Sequence, residues 1–391
     1  MKEGWTYKKL GEVADFYRGL TYGKQDEAES SNVCVLRSNN IDLESMKLIL
    51  DDIKCLKPNF VIPDDKKLKA NSIFICMSNG SKQHVGKVAY IDHNMEYAFG
   101  GFMGLIVPSK EVHAKYLYYV CRSSLYRRFL SSIGNGIGIT NLKFSDLYNF
   151  SFPFSIMSEQ QKIVSELDLL SDVIEKKKAQ IEEFDKLAQS TFYDMFGDPV
   201  TNEKGWELTK LGDICETSSG GTPSKSHKEY YEGGTIPWLR SGEVSHGFIY
   251  NTELFITEVG MNNSSAKLFP IDTVAVAMYG ATVGQVGVLK AEMTTNQAIC
   301  GIFPNDYYSS IFLLYFLKGM QPVYLKDAAG GAQPNISQGV IKNTKVPMIP
   351  LALQQEFAAK IEDIEQMKAK VRQSLKESEE LFNSRMDYYF N

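Results

Sequence analysis

The chain repeats itself, and that constrains its fold more than any other feature. Gly4-Trp5 with Lys9-Leu10-Gly11-Glu12-Val13 returns as Gly205-Trp206 with Lys210-Leu211-Gly212-Asp213-Ile214, at a constant offset of 201. The apolar run Ser72 to Met77 answers Thr273 to Met278 at the same offset, as Val85-Gly86 answers Val286-Gly287. Each run is short and apolar enough for a buried strand. Further on, Asn141, Pro153 and Gln160-Gln161 match Asn335, Pro347 and Gln354-Gln355 at an offset of 194. Anchors falling in one order mark one module used twice.

Each module runs into a segment whose apolar residues recur by alternating steps of four and three. In the first these are Ile163, Leu167, Leu170, Ile174, Ile181 and Phe184, with Lys177 inside the series; in the second, Phe357, Ile361, Ile364, Val371, Leu375 and Phe382, with Lys368 and Ser378 inside it. A seam held over this many turns predicts a coiled coil. Gly197-Asp198-Pro199 predicts the end of the first helix, because glycine caps a helix and proline cannot continue one. One chain supplying two such helices favours an antiparallel intramolecular pair over an oligomerisation stalk. At 1.5 Å per residue, helices of ~38 residues span roughly 57 Å.

The expected architecture is α+β. Two α/β domains form a tandem repeat, at 1–157 and 199–351, and each is followed by a helix of the pair, at 158–198 and 352–391.

Composition adds limits. Of 391 residues 43% are hydrophobic and 23% charged, an ordinary globular balance. No apolar run reaches the ~20 residues of a membrane span, and residues 1–10 do not resemble a signal peptide, so a cytoplasmic location is expected. The six cysteines contain no CxxC pair and read as buried free thiols; the five histidines show no metal-ligand spacing. No metal and no cofactor is expected. Net charge is −5, which divides as +4 over 1–157, −5 over 158–198, −2 over 199–351 and −2 over 352–391. Most of the acidity lies in the helices and the first domain is mildly basic.

Catalytic patterns are approached but not completed. Gly80 to Lys87 resembles a phosphate loop with one residue too many and Val88 where a metal-binding hydroxyl belongs, so a turn between strands is expected. Gly134 to Gly138 and Gly330 to Pro334 read as loops. The Asn/Asp-Pro-Pro-aromatic tetrapeptide of adenine methyltransferases, a nuclease metal site, GxSxG and HExxH are all missing. A self-contained enzyme is disfavoured.

Short polar side chains and arginine are what read base edges, while lysine and hydroxyls meet phosphates. In module one such residues cluster at Arg37, Ser38, Asn39 and Asn40, and at Ser78, Asn79, Ser81, Lys82 and Gln83. In module two they cluster at Ser219, Gly221, Thr222, Ser224 and Lys225, at Arg240, Ser241 and Glu243, and at Tyr279 and Thr282. Any one cluster taken alone is more often an ordinary polar loop; recurrence at corresponding points makes them candidate DNA contacts. A shared frame with different tips suits a reader of two unlike sequences.

These anchors, with Ser218 to Pro223, Ile236 to Glu243, Met278 to Gly284 and helices starting after Gln160-Gln161 and Gln354-Gln355, resemble the specificity subunits of type I restriction-modification systems over the whole chain. The first module departs from the pattern at Tyr17 to Tyr22. The resemblance implies a non-catalytic subunit that reads a bipartite, asymmetric target in double-stranded DNA, one domain per half-site. It also implies two methylation subunits docked on this chain (M2S1) and restriction subunits joining through that core. A specificity adaptor for another nuclease-methyltransferase, or a silent recombination copy, is the alternative expectation.

Overall fold

The computed structural model describes residues 4–133, 140–328 and 334–391, with the side chains of 245 and 246 excepted. The two glycine-rich loops of the sequence reading, Gly134 to Gly138 and Gly330 to Pro334, lie outside the described residues except for Pro334, as does the side chain of His246. The chain forms two compact units. One comprises Met1–Lys178 with Gln373–Asn391, the other Ala179–Arg372.

In the first unit an antiparallel sheet orders its strands as Ala14–Arg18, Met103–Pro108, Ser72–Cys76 and Val88–Ile91. Ser72–Cys76 is buried at every position, which explains a continuous apolar run rather than an alternating one. A second, mixed sheet orders Glu27–Ala28, Lys54–Leu56, Cys34–Leu36, Met95–Phe99 and Lys67–Leu68. Its parallel pair places Leu36 beside Phe99. Thr6–Lys9 pairs with Ser151–Phe154 and so closes the domain.

The second unit repeats this plan. Thr217–Ser219, Ile299–Ile302, Val274–Ala277 and Val286–Leu289 form the antiparallel sheet, extended by Phe248–Ile249. Phe255–Ile256, Ile236–Leu239, Met293–Thr295 and Leu268–Phe269 form the mixed one, and its parallel pair places Leu239 beside Thr295. Leu208–Lys210 pairs with Lys345–Pro347. The N–H of Leu10 donates to Phe150 and that of Leu211 to Thr344, the same closing bond twice.

Two helices of 40 residues each, Met157–Phe196 and Leu351–Phe390, follow the two domains. Gly197 ends the first in the left-handed region at φ +83°. Within the first unit the helices pair antiparallel: Lys177 Nζ donates to Ser374 O and Oγ and to Ser378 Oγ, and Arg385 Nη2 reaches Glu166 Oε2 at 3.0 Å. Within the second unit, Lys368 meets Asp185 in the same sense.

The heptad seam does not behave as a seam throughout. Ile163, Leu167 and Ile174 sit in the first domain's core and Phe357, Ile361 and Ile364 in the second's, while Leu170, Ile181, Phe184, Val371 and Leu375 stay half-buried. At the far end of each helix the buried residues step by four, Ala188, Phe192 and Phe196 in one and Phe382, Met386 and Phe390 in the other. There the helix packs on a domain rather than on its partner alone, so it follows the straight-helix period of 3.6 instead of a supercoil's 3.5. A fully buried side chain of this size stabilises by ~1.5–3 kcal/mol.

Candidate nucleic-acid interface

In the first unit four turns converge on an open cleft of about 640 Å³, lined among others by Thr21, Tyr22, Arg37, Asn79 and Phe102. Backbone bonds fix the convergence. Gly19 donates to Met103, Leu20 to Phe99, Met77 and Ser78 to Phe102, Gly100 to Leu36, and Asn79 to Thr140. Asn79 Nδ2 also donates to Ser38 Oγ at 2.8 Å, joining two of the clusters expected from sequence.

The second unit reproduces five of these six backbone bonds. Gly220 donates to Ile299, Gly221 to Thr295, Met278 to Ala298, Asn296 to Leu239, and Gly280 to Pro334. The isolated bridges Ser78 to Asn141 and Tyr279 to Asn335 are likewise equivalent. Tip residues differ: Thr222 bonds Gln297, and Tyr279 is exposed where the first unit has Ser78.

Several predicted contacts turn inward and are corrected. Asn40 is fully buried; its amide accepts from Arg37 N and donates to Ile49 O and Asp51 O. Glu243, at the equivalent place, accepts from the N–H groups of Arg240 and Glu253. Gly221 is buried, with its carbonyl taken by Trp238 Nε1. These three build the turns, because a buried polar group must be paired at home.

Arg37, Ser38, Asn39, Ser78 and Asn79 line the first cleft. Ser81, Lys82 and Gln83 are exposed but fall outside that lining. Ser219, Thr222, Arg240 and Ser241 are half-exposed on the equivalent turns of the second unit; Ser224 and Lys225 are open to solvent, Tyr279 is exposed and Thr282 half-exposed.

Thr21, Tyr22 and Phe102 also line the first cleft and are not among the candidates expected from sequence. Phe102 is 73% exposed although its carbonyl holds two N–H groups. The signal for it is Gly100-Gly101, whose backbone passes close to Leu36 and Leu20. The false phosphate loop is a tight strand connection turning at Gly86, φ +84°. Its Lys87 is buried, with its pKa lowered by that burial, and donates to Ile41 O at 2.7 Å beneath the Arg37 turn.

Of the six free cysteines, four are buried as expected, but Cys34 and Cys55 are only half-buried. They face each other across neighbouring strands with sulfurs 3.7 Å apart, and burial with the Cys55 hydrogen bond pushes the Cys34 thiol up to about 11. Among the described residues no group of three His, Cys, Asp or Glu is placed to hold a metal, and no helix is long and apolar enough to cross a membrane.

Two copies of one mixed-sheet domain, each presenting the same converging turns with different tips and each seated on paired long helices, define a duplicated recognition scaffold. The family model for the type I restriction modification DNA specificity domain matches residues 2–183 and again 203–378, and the chain belongs to that family. It is a DNA-recognition subunit with two recognition domains, and it is not itself an enzyme.

The chain is 25% identical over 389 residues to the StySPI type I restriction enzyme specificity subunit of Salmonella potsdam, covering 93% of this chain and 82% of that one. It is also 25% identical over 277 residues to the MjaIX specificity subunit of Methanocaldococcus jannaschii, covering 66% of this chain and 64% of that one. Among solved structures, the specificity subunit from M. genitalium matches with a TM-score of 0.56 at 17% identity, over 99% of this chain and 96% of that one. A chain from a study of assembly and conformational transition in a type I restriction-modification system matches with a TM-score of 0.58 at 19% identity, over 99% and 97%. At these identities the structures bear on the fold alone.

Proposed function

We propose that the domain at 1–157 reads one half of a bipartite, asymmetric DNA target and the domain at 199–351 the other, with the helices 158–198 and 352–391 as the spacer. The contacts come from Thr21, Tyr22, Arg37, Ser38, Asn39, Ser78, Asn79 and Phe102 in the first domain. In the second they come from Ser219, Thr222, Arg240, Ser241, Tyr279 and Thr282. The observation that carries this reading is one hydrogen-bonded frame repeated in both units under different tip residues.

Restriction and methylation subunits are the partners of this chain's family. Two methylation subunits docked on it would supply S-adenosylmethionine chemistry and the phosphate contacts that a chain of net charge −5 lacks. Restriction subunits then join this core, and the assembly works on DNA in the cytoplasm.

The test is reconstitution with the methylation subunit followed by genome-wide mapping of methylated bases. A two-part motif is expected, and exchanging residues 199–351 for those of another family member should change one half only. An uninterrupted motif, or one unaltered by the exchange, refutes the reading.

A further inference from the structure

Arg37 and Arg240 hold the same place in the two units. Each follows the strand of the parallel pair, Cys34–Leu36 or Ile236–Leu239, and each opens a short helical turn whose fourth residue accepts its backbone N–H. Each guanidinium also meets a carboxylate two residues ahead of the strand that returns to the sheet. Arg37 Nη2 lies 3.4 Å from Asp52 Oδ2, and Arg240 Nη2 bonds Glu253 Oε2. Asn39 Nδ2 steadies Asp52 by donating to its Oδ2 at 2.9 Å, and Glu243 steadies Glu253 by accepting its N–H at 2.9 Å.

Stability does not account for this recurrence. The side chains are 37% and 81% exposed in one pair and 43% and 67% in the other, and ion pairs this open contribute little to folding. The surroundings have also drifted: Asn39-Asn40 faces Gly242-Glu243, and Asp52 faces Glu253. The pairing of arginine with acid has stayed. A guanidinium carries five donors in a planar fork; a carboxylate on one of them at Arg37, and on two at Arg240, whose Nε also lies 3.4 Å from Glu243 Oε1, fixes the plane while leaving others free. The adjacent negative charge repels a phosphate but not the neutral O6 and N7 of guanine, which the fork matches with two bonds.

We propose that each recognition domain reads a guanine through a buttressed arginine, Arg37 oriented by Asp52 and Arg240 oriented by Glu253. The two arginines touch the base, and the two acids are positioning residues. This rests on the assignment of these turns to the DNA interface.

The test uses the complex with the methylation subunit, duplexes carrying its mapped target and every single base-pair replacement, and a series of salt concentrations. Arg37→Ala is expected to weaken target binding by about 5- to 150-fold, to abolish discrimination at one G·C pair, and to leave the salt dependence unchanged. Arg37→Lys keeps the charge but not the fork, and loses the same discrimination. Asp52→Asn is expected to keep target binding, blur that same pair, tighten non-specific binding and steepen the salt dependence by about one phosphate contact. Arg240→Ala and Glu253→Gln should do the same at one pair in the other half-site.

Two results overturn the inference while the assigned function stands. In one, Arg37→Ala weakens target and unrelated DNA equally with a shallower salt slope; in the other, Asp52→Asn leaves discrimination and slope unchanged. A parent complex that prefers no target at all would instead refute the assigned function. The two acids are exposed and the two arginines half-exposed, and unchanged thermal unfolding of each variant confirms that folding is not the cause.

Discussion

Gln160 and Gln354, 194 positions apart, make the same three hydrogen bonds. Gln160 Nε2 donates to Ser155 O and Glu111 O while its Oε1 accepts from His113 N; Gln354 Nε2 donates to Ile349 O and Tyr307 O while its Oε1 accepts from Ser309 N. Both side chains are fully buried. Each one pins the start of a long helix to the domain before it. Replacing either by alanine strands three backbone groups, and a loss of about 2–4 kcal/mol is expected for each. Denaturant unfolding of the two variants measures it, and an unchanged midpoint in either would show that the clamp is dispensable.

Gly19 and Gly220 are a second equivalent pair. A Cβ on Gly19 would lie 1.9 Å from Gly100 O, and one on Gly220 would lie 2.2 Å from Thr295 O. Backbone cannot yield as a flexible side chain can, so Gly19→Ala should cost at least ~1–3 kcal/mol and open the first cleft. Gly80 meets nothing within 4 Å, and Gly80→Ala should change stability by less than about 0.5 kcal/mol. Thermal melts of the two variants side by side decide the matter; equal melting temperatures would contradict the close approach.

His113 gives the first unit a pH dependence. Burial lowers its pKa below 6.5, outweighing Asp168, which raises it, while Lys115 lowers it further; its Nδ1 is buried without a partner. The unfolded chain therefore binds the proton more tightly than the folded one. Stability from this group is complete above about pH 6.5 and is lost as the pH falls through the depressed folded value. His113→Gln should flatten the fall in unfolding midpoint between about pH 7 and pH 5, where histidine titrates. An identical fall in the variant would assign the effect elsewhere, His84 being the first candidate because its pKa is lowered in the same way.

Lys368 interrupts the apolar series of the second long helix and is 4% exposed, bonded to Asp185 at 2.6 Å and Glu365 at 2.7 Å. Its equivalent in the first helix is the buried Ile174. Asp185 is 60% exposed and can return to water, so Lys368→Met should change stability by no more than about 1 kcal/mol in either direction. A larger loss in urea titrations would mean that the ion pair stabilises more than an apolar side chain in its place.

The duplication and the two helices were legible because they are local patterns: anchors at fixed offsets and apolar residues at fixed steps. That Arg37, Ser38, Ser78 and Asn79 lie on turns was legible as well, since each follows an apolar strand. Phe102, Thr21 and Tyr22 were not, because parallel pairing of Leu36 with Phe99 brings distant segments to one cleft, and no spacing records it. Asn40, Gly221 and Glu243 show the converse. A polar residue in a turn has the same letter whether it faces DNA or caps its own backbone. The seam drifted at Ala188, Phe192 and Phe196 because a globular core, not a second helix, decides which face is covered there.

The division of the chain also bears on its synthesis. Residues 179–372 hold everything the second unit packs, so it can close as soon as that stretch has left the ribosome. The first recognition domain emerges earlier, yet its core includes Phe382, Met386 and Phe390. It must wait with part of its apolar surface uncovered until the rest of the chain has been made. The domain begun first is thus the last to be finished.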